Sequence, residues 1–126
     1  MMNKLFLSWS IAQKGGSRKS NCWDDIANLL DDLRLSNGSV TVDRLDDENY
    51  LITEIQVRME KDFYLVTFMN EDDEVMSIID LTQPDEKILI LGDYWPAGQL
   101  TKDFDLVVRI FREFFDTGNV SKNLLN

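Results

Sequence analysis

The sequence predicts an α+β domain: a mainly antiparallel meander sheet of five to six strands with two packed helices, in the order β-α-β-β-β-β-β-α. Three observations point there. Two segments, one near each end, repeat apolar residues at three- and four-residue spacings. Between them lie five short runs rich in β-branched and aromatic residues, bounded by turn residues. The links between those runs are short, and short links join antiparallel neighbours. A length of 126 residues suits one domain (1–126), and 44% hydrophobic residues, among them thirteen aromatics, supply a core.

The elements follow in order. "LFLSW" (5–9) reads as the first strand; Ser8 and Ser10 interrupt the apolar stretch too early for a secretion signal. "QKGGSRKSN" (13–21) reads as a flexible, locally basic loop carrying Lys14, Arg18 and Lys19, and its spacing does not fit a phosphate loop. In "CWDDIANLLDDLRL", Trp23, Ile26, Ala27, Leu30 and Leu33 form one helical stripe. Asn21 is the expected cap, with Asp24 in the first turn and Asn37-Gly38 as the stop. "SVTVDRL" puts Val40 and Val42 on one face. "LITEIQVRM" turns Leu51, Ile55, Val57 and Met59 one way and Glu54, Gln56 and Arg58 the other. "FYLVTFM" is apolar on both faces, as a strand covered twice would be. "VMSIIDL" and "KILIL" complete the expected meander, and "TKDFDLVVRIFREFFDTG" is a final helix with Thr101 as cap and Gly118 as stop.

Thirteen basic residues against twenty-three acidic ones give a net charge of −10. That balance argues against binding a nucleic-acid backbone or anionic lipid, and favours a basic partner wherever the acids are grouped. Cys22 is the lone cysteine and histidine is absent, which removes disulfides, Cys-rich zinc sites and Ser-His or Cys-His nucleophile pairs. No run reaches the roughly twenty apolar residues of a membrane span, and the expected location is the cytoplasm.

In an up-and-down meander, the connections "DDENY" (46–50), "NEDDE" (70–74) and "GDYWPAG" (92–98) fall at one end. That end gathers eight carboxylates, Asp46, Asp47, Glu48, Glu71, Asp72, Asp73, Glu74 and Asp93, with Tyr94 and Trp95 among them and no lysine or arginine in the three loops. The opposite connections carry compensating Lys61 and Lys87. Acidic turns are ordinarily just solvated, but grouped acids around an exposed aromatic also make a docking surface. A tryptophan between Tyr94 and Pro96 either folds back on the core or anchors a partner, and the basic segment from Lys14 to Lys19 would weaken the field if it reached the same end.

Catalysis by carboxylates needs convergent, partly buried acids or a bound cation. The acids here fall in turns and on exposed helix faces, and neither acidic loop has the glycine of a calcium loop. The expectation is a non-enzymatic protein with no cofactor and no metal.

Three motifs carry a family resemblance: "LSW" in the first strand, "W-x-x-I-x-x-L-L-x-x-L" on the first helix, and "LVVRIFREFFDTGNVSKNLLN" at the end. In these the chain resembles the first immunity-protein family of bacterial polymorphic-toxin and contact-dependent growth-inhibition systems. It departs at Leu124-Leu125-Asn126, where that family often places a tryptophan two positions after the leucine. Trp9, Trp23, Phe114, Phe115, Gly118 and Leu124 would be fold-keeping positions. The resemblance implies a non-catalytic inhibitor, monomeric in a 1:1 complex with a cognate toxin C-terminal domain, commonly a nuclease or nucleic-acid-modifying enzyme with a basic cleft. The alternatives are a carboxylate-based metal-dependent hydrolase and an acidic DNA-mimic or adaptor.

Overall fold

The computed structural model describes residues 4–126; residues 1–3, which open the N-terminal stretch too short for a secretion signal, lie outside them. In chain order the elements are β1 (Lys4–Ile11), β2 (Lys14–Lys19), α1 (Trp23–Arg34), β3 (Gly38–Leu45), β4 (Leu51–Glu60), β5 (Phe63–Met69) and β6 (Val75–Ser77). They are followed by β7 (Lys87–Ile90), β8 (Asp93–Pro96), a 3₁₀ turn (Ala97–Gln99), β9 (Leu100–Thr101) and α2 (Phe104–Thr117). The main sheet is antiparallel in the order β2-β1-β3-β4-β5-β6; β9 also pairs with β5, and β7 and β8 form a separate hairpin.

Alternation along the strands separates two faces. Val40 and Val42, Ile55 and Val57, and Val66 and Phe68 point to one face and are fully buried. There they meet Ile26, Leu30 and Leu33 of α1 and Val107, Ile110, Phe111 and Phe114 of α2. Each such side chain contributes about 1.5–3 kcal/mol on burial. Phe114 packs edge-on against Phe68, with ring centres 6.0 Å apart. The other face is half covered. The β7–β8 hairpin lies over its β4–β5 side, where Leu65, Ile90 and Leu100 form a second small core with Phe63, Ile88 and Trp95. This double cover of β5 is what its two-faced apolar sequence predicted.

Several local expectations change. The Gly/Ser-rich segment is not a loop but an edge strand. Ala12 and Gln13 take positive φ (52° and 66°), making the two-residue turn whose twist suits a hairpin. Gly16 is needed there because the Trp9 ring lies against it, 2.4 Å from where a Cβ would stand. Asn21 does not cap α1. Its side chain accepts the Leu5 N–H (3.0 Å), and Cys22 is the cap residue. Gly38 opens β3 instead of closing α1, pressed against the Ser10 carbonyl. Asp103, not Thr101, caps α2 by accepting the Leu106 N–H at 3.1 Å, while Gly118 ends α2 in the left-handed conformation as expected.

The larger change concerns "VMSIIDL" and "KILIL". Only Val75–Ser77 pairs with β5, because β9 takes the places that follow on β5, Leu65 with Leu100 and Tyr64 with Thr101. On the outer edge of β6, Ser77 and Asn126 exchange two backbone hydrogen bonds of 2.9 Å. With that edge taken, the following chain leaves the sheet and returns as the β7–β8 hairpin across its face.

Truncating Phe114 to alanine is expected to cost about 3–5 kcal/mol in urea unfolding with an unchanged m-value, whereas Leu35→Ala on the exposed end of α1 should stay within about 0.5 kcal/mol.

Candidate functional site

The two acidic loops at one end of the sheet are built alike. In the β3–β4 connection the Asp46 carboxylate accepts the N–H of Glu48 (2.8 Å) and of Tyr50 (3.0 Å), and the Asp46 N–H donates to the Tyr50 carbonyl at 2.9 Å. In the β5–β6 connection the Asn70 side-chain oxygen accepts from Asp72 (2.9 Å) and Glu74 (3.0 Å), and the Asn70 N–H donates to the Glu74 carbonyl at 3.0 Å. Both place a positive-φ Asx residue fourth, Asn49 at 67° and Asp73 at 60°. Asx side chains favour this because their oxygen satisfies backbone donors two and four residues on. The result is a pair of five-residue loops on neighbouring hairpins, held from within and free to point their remaining acids outward.

Asp46, Asp47, Glu48, Glu71, Asp72, Asp73 and Glu74 therefore do share one end, since β3 finishes where β4 begins and Met69 pairs with Glu54 near the start of β4. Of these, Glu71 is engaged. Its carboxylate meets the Arg44 guanidinium at 2.8 Å, and Arg44 is only 14% exposed while Glu71 is 68% exposed. Arg44 also donates to Thr53 (3.0 Å), whose hydroxyl bonds the Gly118 carbonyl (3.3 Å). The acidic loop 70–74 is thus tied to the end of α2. Between them opens a cleft of about 500 Å³ lined by Arg44, Asp72, Gly118 and Lys122. Lys4 reaches the other loop, bonding the Asp47 carbonyl at 3.2 Å. Among the described residues, the six other loop carboxylates have no ion pair.

Asp93, Tyr94 and Trp95 are not at this end. The Leu91 N–H, in the turn of the β7–β8 hairpin, donates to the Glu60 carboxylate (2.8 Å), and Glu60 ends β4 at the opposite pole from Leu51. The ten residues of β4 separate the two poles by about 30 Å. Trp95 folds back on the sheet under the Arg58 guanidinium, 5.6 Å from its ring centre. The expected up-and-down order fails for this loop because its hairpin lies across the sheet instead of extending it. The aromatic that does stand next to these acids is Tyr50, 67% exposed at the end of the first loop. The basic segment does not form a compact patch here either: Lys14 lies at the far end of β2, and Arg18 pairs with Asp25 at 3.4 Å.

Two more carboxylates extend the acidic region onto the open face of the sheet. Asp43 and Glu54 are cross-strand partners. Backbone hydrogen bonding turns Asp43 toward β1, so the pair is of the non-hydrogen-bonded kind, with Cα atoms about 4.5 Å apart and side chains at their closest. Burial, then a hydrogen bond to Glu54 and repulsion from its charge, push Asp43 up to about 7. One Asp43 oxygen is buried with no hydrogen-bond partner. Beyond this pair the face continues as a row of short polar side chains, Ser17, Ser8, Thr41, Gln56, Thr67 and Ser77, in which Gln56 donates to Thr41 at 3.0 Å. Alternation in the sequence turns Glu54 outward, and aligning it with Asp43 takes the further step of setting Val42 against Ile55.

Among the described residues, no group of three or more side chains is placed to hold a metal ion, and no helix is long and apolar enough to cross a membrane. A model of a family of unknown function (DUF6911) matches residues 5–124. The chain belongs to that family. Among solved structures it is similar to a hypothetical protein from Neisseria gonorrhoeae, at 20% identity and a TM-score of 0.67, over 94% of this chain and 90% of that one. At that identity the likeness shows the DUF6911 chain's fold alone. No curated protein matches.

Asp43 makes stability pH-dependent in a definite direction. A carboxyl with a raised folded-state pKa contributes stability that is fully present below the ordinary value near 4 and is lost as pH rises toward 7. Asp43→Asn is expected to remove that fall, raising stability at pH 8 by about 1–2 kcal/mol, a value discounted for solvent screening. Urea denaturation of both proteins at pH 4.5 and 8 measures it.

Proposed function

We propose that the chain is an immunity protein, binding a cognate bacterial toxin domain through its acidic end and blocking it without catalysis. The observation that carries this reading is the pair of like-built loops at one pole, which bring six carboxylates without an ion pair among the described residues to the same end as exposed Tyr50. The family resemblance in the strand, helix and C-terminal motifs supports it. A toxin acting on nucleic acid presents a basic cleft, and an array of carboxylates competes for the place of phosphate.

The physical division of labour is specific. Loop acids speed encounter, lifting association from about 10⁵–10⁶ M⁻¹s⁻¹ toward about 10⁸–10⁹ M⁻¹s⁻¹ at low salt. Slow release needs a desolvated aromatic centre, the role of Tyr50. Arg44 holds Glu71 and so keeps one loop in place before the partner arrives. Asp93, Tyr94 and Trp95, at the other pole, take no part. The partner is a basic protein domain, met in the cytoplasm, in a complex with one toxin for each copy of this chain.

The test is growth rescue: the chain is co-expressed with each toxin C-terminal domain encoded in the same genome, and one of them should be neutralised. For that pair, replacing Asp47, Glu48, Asp72 and Asp73 with lysine should slow association at low salt by about 10–10³-fold, while Tyr50→Ala should mainly speed dissociation. Rescue of none, or an association rate indifferent to the four reversals, contradicts the proposal.

A further inference from the structure

β2 is an outermost strand, and among the described residues it pairs only with β1. Its hydrogen-bonding phase can be read from one bond: the Ser20 N–H donates to the Leu5 carbonyl at 3.1 Å. Antiparallel ladders alternate, so Arg18, Gly16 and Lys14 also turn their backbone groups toward β1. Gly15, Ser17 and Lys19 turn theirs outward, leaving three N–H and three C=O groups along a straight edge. An edge of this kind is a template for another strand.

We propose that the outer edge of β2 pairs with β2 of a second copy of this chain, antiparallel and with the two-fold axis through Ser17. In that register Ser17 faces Ser17 of the second copy, Gly15 faces its Lys19, and Gly16 faces its Arg18. The three outward residues of each strand then form three narrow pairs and six backbone hydrogen bonds, satisfying every free group on both edges. The strand is self-complementary in side-chain size: Arg18 and Lys19 each lie across from a glycine, Lys14 lies across from Ser20, and none faces another basic residue. Lysines ordinarily discourage edge pairing, and this register removes the clash on which that protection depends. Charge selects the same edge. In a molecule of net charge −10, β2 carries Lys14, Arg18 and Lys19 and no acid, so two copies meet here without setting carboxylate against carboxylate. Pairing at any of the acidic loops would do the opposite.

The surface is separate from the acidic end and does not depend on the function proposed above. β1 stands between β2 and β3, so a dimer joined at β2 leaves the loops of both copies open. A neutralising complex would then hold two toxin domains on one continuous sheet.

Sedimentation equilibrium of the full chain from about 5 μM to about 1 mM should show a monomer–dimer equilibrium and no larger species. Ser17→Pro removes a donor that points to solvent in the monomer, a place where an edge strand tolerates proline; it should weaken the dimer at least about tenfold and leave thermal unfolding of the monomer in place. A second variant keeps the test independent of that substitution. In a Cys22→Ser background, Ser17→Cys brings two thiols together across the axis, where paired Cα atoms stand about 5.5 Å apart, within disulfide reach. It should cross-link under mild oxidation at least about tenfold faster than Gln13→Cys in the adjoining turn. A chain that stays monomeric throughout, a dimer indifferent to Ser17→Pro, or equal cross-linking of the two cysteine variants overturns the proposal. A monomer that binds only its toxin through β2 would be among those contrary results.

Discussion

The pairing of β3 with β4 sets Val42 beside Ile55 on one face and Asp43 beside Glu54 on the other. A slip of one residue would exchange the two faces, carrying Val40, Val42 and their partners into water. Burial of the valines and isoleucine under α1 and α2 therefore forces the two carboxylates together. It also brings the first acidic loop to the end of the sheet where β5 delivers the second. The helices, the acidic pole and the polar open face are consequences of one register. The like-charge pair costs stability at neutral pH, and the apolar face behind it offsets that cost.

The two poles of the sheet have different chemistry because their connections differ. At one, five-residue loops use an Asx side chain to satisfy their own backbone and leave acids projecting. At the other, the turn of the β7–β8 hairpin is held to Glu60, and Trp95 is packed beneath Arg58. Acids occur at both, but only at the first do they stand in number next to an exposed aromatic. Arg44 joins this pole to the helical layer, and Gly118 is bound up with it: a Cβ there would lie 2.8 Å from the guanidinium. The stop of α2 and the position of loop 70–74 are thus one packing problem.

Much of this was legible in the sequence wherever a signal is complete within about ten residues. The alternation in 51–59 and the helical stripes of 23–33 and 104–115 translate directly into faces, and the acidic loops are visible as composition. Three features were not legible for physical reasons. The turn at Ala12-Gln13 has neither glycine nor asparagine, so its positive φ values are imposed by strand pairing. The truncation of β6 comes from β9, whose Leu100 and Thr101 lie more than twenty positions further on and take the next places along β5. Trp95 could anchor a partner or fill a core by its sequence context, and only the path of the β7–β8 hairpin decides. The kinship of the two acidic loops was within reach: Asp46 with Asn49 and Asn70 with Asp73 repeat one spacing.

The measurement that bears most directly on the β3–β4 register, and with it on the extent of the acidic region, is a carbon-13 NMR titration of the side-chain carboxyls. Asp43 should change protonation near pH 7. A midpoint near 4, as for an aspartate in open water, would mean that Asp43 is neither buried nor set against Glu54 as this register places it, and would contradict the account.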